Sequence, residues 1–425
     1  MKKLLWIILL IIFISPFTLI PQNLQAQELD EDELYDNPSA REEWRFQMRR
    51  DENGIIPFGA LNKAKRQLNN IRAKLPKPMD AGISGWEWLG PGNVGGRIRT
   101  ILIHPTLPNL MWIGSVSGGI WRTDNAGDSW YPVDDFMANL AVTSIVMDPT
   151  NSFIMYAATG EGFGNIDGLQ GAGIFKSTDV GNTWNQLSST DNPQFLFVNR
   201  LSHHPSLTNI LLAATNTGVY RTVDGGNSWA KTLNVVATQV KYLLNNPNNV
   251  LCGTASDFYL STDGGINWQR ETTGATNKMP SSPGRCEGDF SSNGNIVYVN
   301  MDRNFGEIWR STDGGLTWQL RNTGSNYFGS PQSQGFYDNA IWVDPTNSNF
   351  VVLSGRNLQR STDGGSNLTK IGGDAGVGVI FGVHPDIHAI IAHPNYNGTT
   401  NKTMFIGCDG GIYATQDITT ASLGP

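Results

Sequence analysis

The sequence predicts an all-β protein, a β-propeller of about seven four-stranded blades preceded by a short helical lead-in. Three observations predict it. A motif of the form Ser/Thr-x-Asp/Asn-x-Gly-x-Ser/Thr/Asn-Trp recurs at 123–130, 177–184, 222–229, 261–268 and 311–318, with a sixth copy at 361–368 that ends in Leu368. A second pattern runs in phase with it: an apolar strand, a turn usually holding Pro, an Asn, and another apolar strand. It occurs seven times, from 101–114 to 390–407. Finally, 48 Gly and 13 Trp with few long helical patterns fit a chain of short strands and tight turns.

The elements follow in order. Lys2 and Lys3 precede an apolar run from Leu4 to Ile20, broken by Pro16 and followed by a small residue, Ala26. This reads as a signal peptide over residues 1–26, so no membrane span is expected after cleavage. Residues 27–84 are a charged lead-in, with 21 charged side chains in 58 positions. Within it Leu61, Ala64, Leu68, Ile71 and Leu75 recur at helical steps and stop at Pro76, and Trp44 and Met48 suggest a shorter helix before them. The apolar stripe is expected to pack on the outside of the main domain. Residues 85–425 form the propeller, and its last blade is incomplete or is closed by residues 86–89, which look like a fourth strand without its first three.

Each Asp motif lies between two strands. Its carboxylate and hydroxyl can bond free turn N–H groups, its Gly can take positive φ, and its Trp is expected to open the next strand. Asn125, Asp179, Asp224, Asp263, Asp313 and Asp363 are therefore six copies of a fold element rather than six catalytic acids. Two hairpins per unit make four strands, and stacking such units round an axis removes exposed sheet edges. The Asp turns and the Pro turns then share one face. The opposite face, carrying the long links 269–288, 319–338 and 369–387, is expected to bind the ligand.

The net charge is −7, and −9 without the leader, which argues against nucleic acid as a partner. Cys252, Cys286 and Cys408 are too few for a disulfide scaffold and lack thiolate-zinc spacing. Nothing in the sequence speaks to oligomeric state.

These repeats resemble the Asp-box, or BNR, propellers. The stretches WEWLGPGNVGGRIRTILIHP (86–105) and GSVSGGIWRTD (114–124) resemble the start of the propeller in exported Bacteroidetes-type proteins described as sortilin-like or glycosyl hydrolase BNR repeat proteins. The resemblance implies a secreted or cell-surface protein of a Gram-negative bacterium, of a group that often carries a type IX secretion signal. It also implies three functions: a binding or scaffolding module for an extracellular glycan or protein, a sialidase- or xyloglucanase-like glycoside hydrolase, or a sortilin-like peptide binder. Xyloglucanase-type enzymes place a catalytic Asp just before the first-blade Gly-Gly, where this chain has Val116 before Gly118-Gly119. The Arg-Ile-Pro start of sialidases is missing as well.

Alignment of the seven first strands on the turn Pro, or on Asn293 in the fifth, gives the candidate site. Six residues earlier stand Arg99, Thr143, Asn199, Lys241, Glu287, Asn339 and His388, all polar. Eight residues earlier stand Arg97, Ala141, Phe197, Gln239, Arg285, Tyr337 and Asp386. Period two places both sets on one side, lining the upper end of the channel. If the chain is an enzyme, Arg97, Arg99, Arg285, Glu287, Tyr337 and Asp386 are the catalytic candidates, with Arg285 across the ring from Arg97 and Arg99. Glu161, Lys241, Arg303, Arg356 and His388 are expected on the ligand-binding face. No cofactor is required, but His384, Asp386 and His388 share a face if the chain is extended, and with Asp409 form a candidate divalent-metal set.

Overall fold

The computed structural model describes residues 38–57, 60, 63–64, 66–67, 70, 96–133, 141–164, 168–281, 284–373 and 382–423. The signal peptide and the strand expected at 86–89 lie outside the described residues. The chain divides into two compact units between Gly54 and Ile55. The first contains helix α1 (Pro38–Arg49), on which Trp44 and Met48 are exposed. Of the helix expected over 61–75, Lys63, Ala64, Arg66, Gln67 and Asn70 are helical; Ala64, counted on the apolar stripe, is exposed.

The second unit is a seven-bladed propeller. Blade one is the antiparallel meander β1 (Ile98–Ile103), β2 (Met111–Ser115), β3 (Gly119–Thr123) and β4 (Tyr131–Pro132). Five further four-stranded meanders follow, and the seventh sheet shows three strands among the described residues, β25 (Ile387–Ala392), β26 (Met404–Cys408) and β27 (Gly411–Thr415). The first strands of the intervening blades are β5 (Val142–Asp148), β9 (Val198–His203), β13 (Ala237–Tyr242), β17 (Cys286–Phe290) and β21 (Ala340–Val343). Each packs beside the next, and β25 returns to β1, so the ring is closed. The core lies between blades. Trp112 and Ile120 of the first meet Val142, Met155, Phe175 and Trp184 of the second, for example, and Ile98 and Ile113 meet Ala389 and Phe405 of the seventh. A sheet buried on both faces has no polar side to show, which is why the inner strands read as continuous apolar runs.

The Asp motif closes the second hairpin as expected. In the fifth copy Ser311 Oγ donates to Asp313 Oδ1 at 2.8 Å, and the N–H groups of Gly315 and Thr317 donate to Ser311 Oγ and Asp313 Oδ1. Gly315 has φ +98°, and a Cβ there would stand 2.2 Å from Leu260 Cδ1 of the neighbouring blade, so glycine is needed twice over. The position before it also takes positive φ; it is Gly314 here but Ala126 and Val180 in the first two copies. A β-branched residue in that region is strained. Each Trp precedes its strand instead of opening it: β4 begins at Tyr131, after Trp130. The rings act as covers, with Trp184 and Trp318 buried.

The Asn of the second pattern also gains a role. Its carbonyl accepts an N–H from the Asp turn of the same blade: Ala126 to Asn109, Gly225 to Asn209, Gly264 to Asn248, Gly314 to Asn295 and Gly364 to Asn349, at 2.8–2.9 Å. In the second blade Phe153 takes the place of Asn, accepting from Val180 at 3.2 Å. Both turns therefore share one face and are tied together.

Candidate functional site

The polar column aligned six residues before the turn has a backbone cause. Strand pairing skips one residue at the channel end of several first strands: Arg99 in β1, Thr143 in β5, Asn199 in β9 and His388 in β25. In β13 the skipped residue is Thr238. Each is a β-bulge, which breaks the period-two alternation and re-aims one side chain. Arg99, Thr143, Asn199, Glu287, Asn339 and His388 are all buried, and Lys241 is partly exposed.

Much of this column fastens neighbouring blades. Thr143 Oγ1 donates to Val198 O, Asn199 Nδ2 to Ala237 O at 2.7 Å, and Asn339 Nδ2 to Asn300 O at 3.2 Å. Gln239 exchanges two bonds with the Gly288 backbone, and Lys241 pairs with Asp289 of the next blade. Buried polar groups require partners, and these have found them in the adjacent sheet.

The remaining members converge at the channel mouth. Arg99 Nε and Nη2 both donate to Glu161 Oε1, at 3.2 and 2.7 Å. Its Nη1 donates to Tyr337 O, and also to His388 Nδ1 at 2.8 Å. Arg285 Nη1 donates to the same Tyr337 carbonyl at 2.7 Å, and its Nη2 pairs with Glu287. Arg97 Nη1 donates to Tyr337 Oη at 2.9 Å. Arg285 comes from the fifth blade, across the ring from Arg97 and Arg99, and its guanidinium meets theirs at Tyr337. The link ending at Tyr337 and the loop holding Phe163 bring them together: the Arg99 and Arg285 guanidiniums each stand 4.5 Å from the Phe163 ring centre. Phe163 and Glu161 are buried, so this loop seats its side chains inside the mouth and Glu161 is not a solvated acid.

Electrostatics set the protonation states. Burial, and then the guanidiniums of Arg99, Arg285, Arg200 and Arg97, hold the His388 imidazole well below its usual range. It is neutral, accepts at Nδ1 from Arg99, and donates from Nε2 to Asp409 Oδ1 at 2.6 Å. Burial pushes Asp338 well above the carboxylate range, and the negative charge of Asp386 adds to the shift. Burial also raises Asp409 to about 6, although Arg97 and Arg99 pull the other way. Arg200 reaches the backbone carbonyls of Arg99, Thr143 and His388, and burial lowers its guanidinium to about 10.

The metal set does not assemble. Asp386 has φ +63°, so His384, Asp386 and His388 do not follow one extended face. His384 is exposed and its Nδ1 bonds Pro385 O, whereas both nitrogens of His388 are engaged by Arg99 and Asp409. Among the described residues, no three His, Cys, Asp or Glu side chains stand close enough to hold an ion. Of the other expected residues, Arg303 is partly exposed, 3.9 Å from Glu307, and Arg356 is half-buried. Sequence reasoning missed Asp338, Phe163 and Arg200. Asp338 and Arg200 fall seven and five residues before the turn Pro, outside both aligned columns.

Fold and site together define a seven-bladed propeller of Asp-box type. The family model Sortilin-Vps10 (sortilin, neurotensin receptor 3) matches residues 118–255. The chain is 30% identical over 169 residues to a xyloglucanase of Hypocrea jecorina, covering 36% of this chain and 20% of that one. It is 28% identical over 341 residues to the xyloglucanase Xgh74A of Acetivibrio thermocellus, covering 67% and 39%. It spans well under half the length of these curated relatives. Among solved structures, the GH74 enzyme of Niastella koreensis has a TM-score of 0.57 at 19% identity, over 78% of this chain and 53% of that chain. YCF48 of Cyanidioschyzon merolae has a TM-score of 0.51 at 16% identity, over 77% and 97%. At such identities the structural likeness is one of fold. No helix among the described residues is long and apolar enough to cross a membrane.

Proposed function

We propose that this chain is an exported binding propeller of the cell exterior, taking a glycan or a protein at the face that carries the channel mouth, and that it does not cut its ligand. One observation carries the reading: Val116, at the place where the xyloglucanase resemblance requires a catalytic Asp, is a buried apolar residue bonded through its N–H to Arg97 O. Glycoside hydrolysis needs a carboxyl pair flanking the scissile bond. Here Glu161 and Glu287 are engaged with Arg99 and Arg285. Among ligands a glycan is favoured, because relatives named xyloglucanases align with two thirds of the chain.

A second reading rests on Asp409. A carboxyl held near 6 and still partly exposed suits a general acid, with Asp386 nearby as the second carboxyl. The test is retention of the protein by soluble polysaccharides, xyloglucan first, in affinity electrophoresis, alongside a reducing-end assay. Retention without new reducing ends is the expected result. Release of reducing ends that is abolished by Asp409→Asn overturns it in favour of hydrolysis.

A further inference from the structure

Four aromatic side chains are largely exposed among the described residues: Trp44, Tyr131, Phe153 and Phe336. Trp44 belongs to α1, Tyr131 to the outer strand β4, and Phe153 to the turn face of the second blade. Of the three on the propeller, Phe336 adjoins the channel mouth. It is 48% exposed although it directly precedes Tyr337, the residue on which three arginines converge.

The backbone holds it there. Arg285 Nη1 takes the Phe336 carbonyl at 3.0 Å. Tyr337 N–H donates to Gln334 O, and Gln334 N–H to Phe328 O, both at 2.8 Å. Gly335 lies flat on Asp302, since a Cβ there would stand 2.5 Å from Asp302 Cγ. The segment is anchored at both ends, and the Phe336 ring packs beside Tyr337 with about half of the residue left exposed. Groups suited to hydroxyls follow from it in turn: the Tyr337 phenol with its Arg97 donor, then His388, edge-on to Tyr337, and, bonded to His388, the Asp409 carboxyl, whose side chain is 24% exposed.

We infer that Phe336 is a stacking platform for a neutral hexopyranose ring of an extracellular glycan, with Arg97, Tyr337 and Asp409 reading its hydroxyls. A pyranose whose hydroxyls are equatorial presents its axial C–H groups as an apolar face. Such a face packs on an aromatic ring, whose negative π surface attracts C–H groups. A β-linked glucan backbone has this character in every residue. The inference rests on the glycan-binding reading above and names the part of the face that would meet the sugar.

The test is binding of soluble xyloglucan, measured by affinity electrophoresis and calorimetry, for the full chain and for Phe336→Ala, Phe336→Leu and Phe336→Trp. The expected result is a loss of about tenfold in affinity for Ala and for Leu, with retention in Trp and an unchanged melting temperature. Leu keeps apolar bulk without a π face, so it separates stacking from simple burial. Wild-type affinity in the Ala or Leu variant, while the parent protein binds, overturns the platform and leaves glycan binding standing. A parent protein that ignores xyloglucan and other β-glucans overturns the glycan reading and the platform with it.

Discussion

Arg99 and Glu161 form a closed ion pair at the centre of the ring. Nη2 and Oε1 are 2.7 Å apart, and the two side chains are 1% and 0% exposed. Arg99 comes from the first blade and Glu161 from a loop of the second. A pair so buried gains little over an apolar pair, but removing one partner strands the other charge. Glu161→Gln is therefore expected to destabilise the propeller by about 3–5 kcal/mol. Urea unfolding measures this, and a cost near zero would show that water reaches the pair.

The seven-unit ring and its hairpins were legible because each relies on local chemistry, the Asp turn and the Pro turn, each written out in six of the seven repeats. The channel mouth was only half legible. The columns found Arg99, His388 and Tyr337, but period two was applied across β-bulges that skip Arg99 and His388. Asp338 was lost for a related reason: it lies before β21, where no strand alternation governs which way it points. Phe163 carries no signal at all, since a single Phe in a Gly-rich loop reads like any other until the loop is seen folded between two guanidiniums.

Trp318 is 8% exposed, packs edge-on to Phe258 at 5.9 Å between ring centres, and donates Nε1–H to Glu271 Oε2 at 2.9 Å. Trp318→Ala is expected to cost about 3–5 kcal/mol through lost burial and a cavity between the fourth and fifth blades. Urea melting reads the loss. Ligand binding by the folded fraction is expected to persist, since the Asp turns face away from the channel mouth.

Asp409 gives a pH dependence with a definite sign. Its folded carboxyl titrates near 6 against 3.8 for the free group, so the folded state holds the proton more tightly. Stability from this group is present at low pH and falls as pH rises through that window. Asp224, Asp263 and Asp363 work the other way: hydrogen bonds hold them near 2, so their contribution is full above the ordinary carboxylate value and fades only in strong acid. Thermal melts between about pH 4 and pH 7 are expected to show a smaller decline in Asp409→Asn than in the parent. Equal slopes in the two proteins would count against the raised carboxyl.

The bond from each Asp turn to the neighbouring hairpin divides labour between the two ends of the cylinder. One end is tied, in six of the seven blades, with the same short stitch. The other end is tied by a different bond at each blade, and there an exposed residue such as Phe336 answers chiefly to whatever it meets in solution. A lineage can rewrite the exposed links at that end while keeping the buried pairs and the seam beneath, so one durable frame can be readdressed to new molecules.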